Sequence, residues 1–349
     1  MEYMALGCMS GTSLDGIDCS IIKSDGLSFV NEISNKFIPY TEELKNNLHN
    51  IINQGYLTDT SVLTLLNQEY KNSINQFINN NKVKIDLIAM HGQTIYHDQN
   101  TKISIQLFDK SLKFDSNSPV ICNFRKNDLL NGGNGAPIMP EFHKTIATQL
   151  DLKKVIFVNI GGVTNITVID NNEIIAGDSS FGNGIINDLI FEKTGQNFDK
   201  DGSLSENGKN LDTLFYKILK DKYFNEELPK SLDRNYFHKY KKEYLDQESL
   251  SNTIFTLLEI IPFSISELVS SSSDYPIILM GGGRKNLTLQ KIFNKYFDNV
   301  SLIDTHSING DFIESQGMAY LGIRYFLKKH STYYTTTKVQ KNVYLGERC

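Results

Sequence analysis

Cysteine is scarce and scattered in this sequence. Cys8, Cys19, Cys122 and Cys349 form no CxxC pair, a spacing that argues against a disulfide framework and a structural zinc site and predicts four free thiols. Long apolar runs are missing: no stretch approaches the ~18 apolar residues that a membrane span needs. The opening Met1-Glu2-Tyr3-Met4 lacks the basic start of a signal peptide. The expectation is a cytoplasmic protein that does not engage a membrane. Positive charge is in deficit as well. A formal net charge of -5 leaves no general basic surface for a polyanion, so nucleic acid is not an expected partner. His91 and His97 have no third His or Cys at ligand spacing, so zinc has little support and the metal ligands stay unassigned.

What is present is an ordinary globular composition, 40% hydrophobic and 21% charged, in 349 residues. That length exceeds what one hydrophobic core usually serves, and two domains are the natural reading. Tyr3–Cys8, Ile17–Lys23 and Leu27–Tyr40 read as three strands, with the Asp25-Gly26 turn between the last two. Helices follow at Thr41–Asn53 and Thr58–Asn81, the second with Val62, Leu65, Leu66, Tyr70 and Ile74 at helical spacing. A buried strand, Ile85–Met90, runs into a loop His91-Gly92-Gln93-Thr94. Near residue 150 the pattern restarts with Val155–Asn159, a Gly161-Gly162 turn, Asn165–Asp170 and Glu173–Ala176. Helices then fit Gly184–Thr194, Lys209–Lys220 and Asp246–Ser270, followed by strand Pro276–Met280 and a last helix Glu314–Lys329. The chain reads as a duplicated α/β unit. The Thr/Tyr/Lys-rich stretch from Ser331 to Cys349 has no core pattern and is expected on the surface.

Polar residues gather where strands end. The loop from Met9 to Asp18 concentrates glycines, hydroxyls and carboxylates that suit a phosphate, although it matches neither Walker A nor GxGxxG and an ordinary hairpin has the same ingredients. Gly281-Gly282-Gly283, with Asn286 at the next helix start, lets backbone approach a flat ligand or serves as a plain connector. Asp178, in the segment joining the second meander to a helix, is either a cleft-facing base or a helix cap. Arg125 and Asp128 precede the glycine-rich Gly132-Gly133-Asn134-Gly135.

Taken in order, MSGTSLDGID at 9–18, HGQT at 91–94, NFRKNDLLNGGNGAPIMPEFH at 123–143, NIGGVTNIT at 159–167, GDSSFGNGIINDL at 177–189, FDKDG at 198–202, PKSLDR at 229–234, GGGRKN at 281–286 and ESQGMAYLG at 314–322 resemble the anhydro-N-acetylmuramic acid kinase family over nearly the whole chain. The resemblance implies the duplicated ribonuclease H-like fold of sugar kinases, actin and heat-shock ATPases, with two domains around a nucleotide cleft. The first domain would take 1–125 plus 310–330, the second 126–309, and 331–349 would be a surface tail.

The resemblance also implies roles. Gly11, Thr12, Ser13, Leu14, Asp15, Gly16, Ile17 and Asp18 form the expected phosphate loop, and Gly281, Gly282, Gly283 and Asn286 lie on the nucleotide side. Asp178 matches the general base, joined by Arg125 and Glu314 as catalytic residues, while His91, Gln93, Arg125 and Glu314 are expected near the sugar. The implied ligands are 1,6-anhydro-N-acetylmuramic acid, ATP and Mg²⁺, and a homodimer is the expected assembly. Two departures stand out. Ser180-Phe181 replaces the family's Gly-Pro pair after the aspartate, and Asn134 replaces a Gln. A kinase of another sugar and a degenerate nucleotide or sugar binder therefore stay open as alternatives.

Overall fold

The structure, a computed structural model, describes residues 1–11, 14–54, 60–98 and 101–349. It divides into two compact units, Met1–Asp151 with Phe312–Cys349, and Leu152–Asp311.

The first unit is built on an antiparallel meander, β1 (Tyr3–Ser10), β2 (Gly16–Ser24) and β3 (Val30–Pro39). Helices α1 (Glu42–Gln54) and α2 (Thr60–Asn81) lead to β4 (Leu87–Asp98), which returns parallel to β1 and carries the hairpin strand β5 (Ile103–Leu107). A short strand, β6 (Val120–Cys122), adds parallel to β4, and helices α3 (Lys126–Leu130) and α4 (Pro140–Gln149) follow. The central strands are apolar on both faces because both are covered. Leu6, Cys8, Ile17, Cys19, Ile21, Ile88 and Met90 point, by the two-residue period, to one core shared with Leu44, Leu48, Leu66, Tyr70 and Ile74 of the helices. Leu65, expected on that helical face, is 37% exposed.

The second unit repeats the plan. A meander of β7 (Lys154–Ile160), β8 (Val163–Asp170) and β9 (Glu173–Phe181) leads into α5 (Asn183–Thr194), α6 (Asp212–Leu219), α7 (Lys241–Leu245) and α8 (Leu250–Leu268). Then β10 (Ile277–Met280) lies parallel to β7, α9 (Leu287–Tyr296) follows, and β11 (Val300–Leu302) lies parallel to β10. Ile156, Val158 and Ile160 of β7 face a core that includes Ile254, Leu257, Leu258, Ile261 and Ile265 of α8. Burying each such side chain fully contributes about 1.5–3 kcal/mol.

The chain then re-enters the first unit with α10 (Ile313–Phe326), which packs across β1, β2 and β4, and ends with α11 (Tyr334–Thr337) and β12 (Glu347–Arg348). The sheets run β12-β6-β4-β1-β2-β3 and β11-β10-β7-β8-β9. Meander first, then parallel strands added beside the first strand: the same order in both units is the duplicated ribonuclease H-like fold.

Three expectations change. Residues 126–151 belong to the first unit, where Gln149 Oε1 accepts from Val30 N at 2.9 Å and Thr145 Oγ1 lies 2.5 Å from Tyr320 OH. The stretch 331–349 is no loose tail: Ser331, Thr332, Thr336, Thr337 and Leu345 are buried, and β12 pairs with the sheet edge at β6. It shows no apolar period because backbone pairing and buried hydroxyls, not an apolar face, hold it. Cys122 and Cys349 form a disulfide, a pairing that a separation of 227 residues conceals in the sequence. Cys8 and Cys19 are free thiols, as expected, facing each other across β1 and β2.

Candidate active site

In the first unit, β1 delivers Ser10 and Gly11 to the phosphate-type loop, of which Thr12 and Ser13 lie outside the described residues. The loop's base is a buried hydroxyl cluster. Ser10 Oγ lies 2.9 Å from Tyr70 OH and accepts from Tyr40 OH at 2.9 Å. Burial pushes the Tyr40 phenol up to about 12 and raises the Tyr70 phenol well above its ordinary value, so both remain neutral. Leu14 and Ile17 are buried in the core and anchor the loop from below, while Asp15 is exposed and Gly16 to Asp18 already belong to β2. Gln93, expected near the sugar, donates from Nε2 to the carbonyl of Gly11 at 3.0 Å. That bond ties β4 to the phosphate-type loop.

The segment His91–Thr94 is not a loop. It continues β4, and the pairing with β1 slips between Cys8 and Ser10, so His91 and Gly92 form a bulge that re-aims the strand. His91 is buried, with Nδ1 2.9 Å from the carbonyl of Gly92. Arg125, half-buried just ahead of α3, donates from Nε to His91 Nε2 at 3.3 Å and from Nη1 to the carbonyl of Gly135 at 2.8 Å. Burial first, then the Arg125 charge, lowers the imidazole to about 3, so His91 is neutral at physiological pH. Glu314 sits in the first turn of α10, where a carboxylate also complements the helix dipole.

In the second unit, Asp178 lies within β9, not in a loop, and the helix it precedes is capped by Gly182 without a side-chain bond. The helix-cap alternative is thereby removed. Asp178 is 8% exposed and its surroundings are built for it: Leu232 N donates to Oδ2 at 2.7 Å, its own N–H donates to Lys230 O at 2.8 Å, and Tyr223 OH donates to its carbonyl at 2.6 Å. Lys230 is buried beneath, donating to Tyr223 O at 2.9 Å, and burial lowers its ammonium to about 8 against the raising influence of Glu226 and Asp178. The Ser180-Phe181 departure is absorbed inside: Phe181 is buried against Phe237 with ring centroids 5.2 Å apart, and Ser180 Oγ donates to Phe181 O at 2.8 Å.

The glycine triplet follows β10. Gly281 has φ +72°, and an added Cβ would stand 2.5 Å from Asn159 Oδ1. At Gly282 a Cβ would meet no described atom within 4 Å, which leaves bare backbone facing open space, as a flat ligand requires. Asn286 caps α9 by accepting from Leu289 N at 2.9 Å and donates to Asp199 Oδ2 at 3.3 Å. Arg284 fixes the turn through Asp304, Asp311 and the Gly281 carbonyl.

Within the first unit the fold therefore gathers His91, Gln93, Arg125 and the phosphate-type loop. Sequence reasoning gave no role to Tyr40, Tyr70, Tyr223 or Lys230. Tyr70 was hidden among apolar residues at helical spacing, and Lys230 sits in the PKSLDR segment, where no periodicity marks it. Among the described residues no group of three or more His, Cys, Asp or Glu side chains could hold a metal, and no helix is long and apolar enough to cross a membrane.

The sequence profile of the family described as anhydro-N-acetylmuramic acid kinase matches residues 3–348. A protein of that name from Pelagibacter ubique is 35% identical, covering 97% of this chain and 96% of its own length. Another of that name, from Gluconobacter oxydans, is 31% identical over 98% of each. A match of this extent, on residues that the fold assembles as described, makes the chain a member of the anhydro-N-acetylmuramic acid kinase family of phosphotransferases.

Proposed function

We propose that the protein phosphorylates 1,6-anhydro-N-acetylmuramic acid with ATP while water opens the anhydro bridge, giving N-acetylmuramic acid 6-phosphate and ADP. The observation that carries this reading is the buried Asp178 carboxylate, one oxygen of which is held by Leu232 N. Asp178 takes a proton from water as the water oxygen bonds to the anomeric carbon. The bond from that carbon to the bridging oxygen breaks, and the bridging oxygen, still on the sugar, bonds to the γ-phosphorus of ATP as the bond from that phosphorus to the β,γ-bridging oxygen breaks and ADP leaves with its electron pair. Arg125, with its fork aimed by His91 and Gly135, binds the sugar carboxylate or the transferring phosphoryl group. Backbone amides at Gly11 cradle phosphate oxygens, and the open backbone at Gly282 receives the flat part of the nucleotide.

Mg²⁺ carried by nucleotide phosphates needs only one or two protein carboxylates, and Asp15 and Asp18 supply that type of ligand in the phosphate loop. When bound, it neutralises charge on the phosphoryl oxygens. In the cytoplasm the product would feed recovery of cell-wall sugars.

Turnover in ¹⁸O-labelled water tests the scheme: label is expected at the anomeric hydroxyl of the product and none in its phosphate. Label in the phosphate, or phosphorylation with the bridge intact, sinks it.

A further inference from the structure

Asp128 has no place in the reaction just described, yet it is fully buried and stands at the centre of a chain of hydrogen bonds. Its Oδ1 accepts from Gly135 N at 2.7 Å, and the carbonyl of the same Gly135 accepts from Arg125 Nη1 at 2.8 Å. Its Oδ2 accepts from Thr337 Oγ1 at 2.6 Å. Thr337, itself buried in the C-terminal segment, also accepts Asn134 N on its carbonyl at 2.7 Å. Gln340 N donates to Asn131 O at 3.0 Å, and Lys102 Nζ bonds the carbonyls of Gly132 and Gly133 at 3.2 and 2.8 Å. The loop 131–135 is thus bonded from three sides.

The packing leaves no slack. A Cβ on Gly133 would stand 2.1 Å from Asp128 Oδ1, so the loop can close over the carboxylate only with glycine there. Burial raises the Asp128 carboxyl, while the Thr337 hydroxyl and the Gly135 amide act in the opposite direction by bonding its oxygens. An ordinary turn needs neither a buried carboxylate nor a threonine from 209 residues away. A guanidinium that must hold one orientation does need its acceptors fixed, and Gly135 O is one of them.

We propose that Asp128, Thr337 and Lys102 are positioning residues for Arg125, and that the C-terminal segment 331–349 thereby takes part in sugar recognition. This rests on the reading of Arg125 as a substrate contact. The hydroxyl of Thr337 fixes the Asp128 carboxylate, the carboxylate fixes Gly135, and the Gly135 carbonyl sets the guanidinium plane.

Thr337→Val removes the hydroxyl and nearly keeps the volume. Affinity for 1,6-anhydro-N-acetylmuramic acid, measured by calorimetry on the full chain, should fall about tenfold, with affinity for a non-hydrolysable ATP analogue unchanged. Thr337→Ser should restore it. In an Arg125→Ala background the Thr337→Val loss should shrink below about twofold, because nothing is left to aim. An undiminished loss in that background, an equal loss for both ligands, or a folded Thr337→Val with wild-type sugar affinity each overturns the proposal. If Arg125→Ala itself binds sugar normally, the reading of Arg125 falls instead. Should Thr337→Val not fold, Lys102→Met at an exposed position loosens the same loop from outside. Unchanged sugar affinity there also overturns the proposal.

Discussion

Arg125 donates its Nε–H to Nε2 of His91 across 3.3 Å, an arrangement that only an unprotonated imidazole can accept. The Nδ1 proton points to the carbonyl of Gly92 at 2.9 Å, which leaves the Nε2 lone pair for the guanidinium. Burial and the Arg125 charge, by holding His91 at about 3, keep it in that state.

The sign of the pH dependence follows. The folded value lies below the ordinary 6.5, so between about 6.5 and 3 the unfolded chain binds the extra proton and stability falls as pH falls. His97 and His143 are lowered as well, to about 4 and about 3, and add to the same slope. Urea unfolding at pH 7.5 and 5.0 should show wild type losing more stability than His91→Gln, and kcat/KM should show no ionisation near 6.5 that the variant abolishes. An acid limb near 6.5 that disappears in His91→Gln would make His91 a titrating catalyst and reverse this assignment.

Arg125→Lys replaces a planar fork, bonded at once to His91 and Gly135, with a single point charge. Steady-state kinetics should show kcat/KM for the anhydro sugar down by roughly tenfold or more, equivalent to at least ~1.4 kcal/mol of transition-state stabilisation. Wild-type kinetics would remove Arg125 from the site.

Asp178→Asn preserves an oxygen for the Leu232 amide but cannot take a proton. Thermal unfolding and ATP-analogue binding should stay near wild type, while kcat falls by about 10²-fold or more, the usual scale for a general base. A variant that folds, binds and turns over normally would return Asp178 to a purely structural role.

The duplicated plan was legible because each meander repeats strand, turn and strand at short range, and turn residues such as Asp25-Gly26 and Asn171-Asn172 mark the register locally. Asp178 and Arg125 stood out through the family pattern. The strand through His91–Thr94 was missed because Gly92 and polar neighbours imitate a loop, whereas a bulge against β1 accommodates them. The capping role of Asn286 was not read from the sequence because a cap and a binding asparagine carry the same side chain. The C-terminal segment was the largest miss: buried hydroxyls of Thr336 and Thr337 and a two-residue strand leave no period to read, and the bond from Thr337 to Asp128 spans most of the chain.

The first unit takes residues from both ends of the chain, with α10 laid across β1, β2 and β4. Synthesis therefore cannot finish the units in the order in which they begin. Residues 152–311 are synthesised before α10 and β12, so much of the inserted unit can form while the sheet of the first unit is still uncovered. The N-terminal meander must wait, with the face that α10 will cover open to other chains, until α10 arrives.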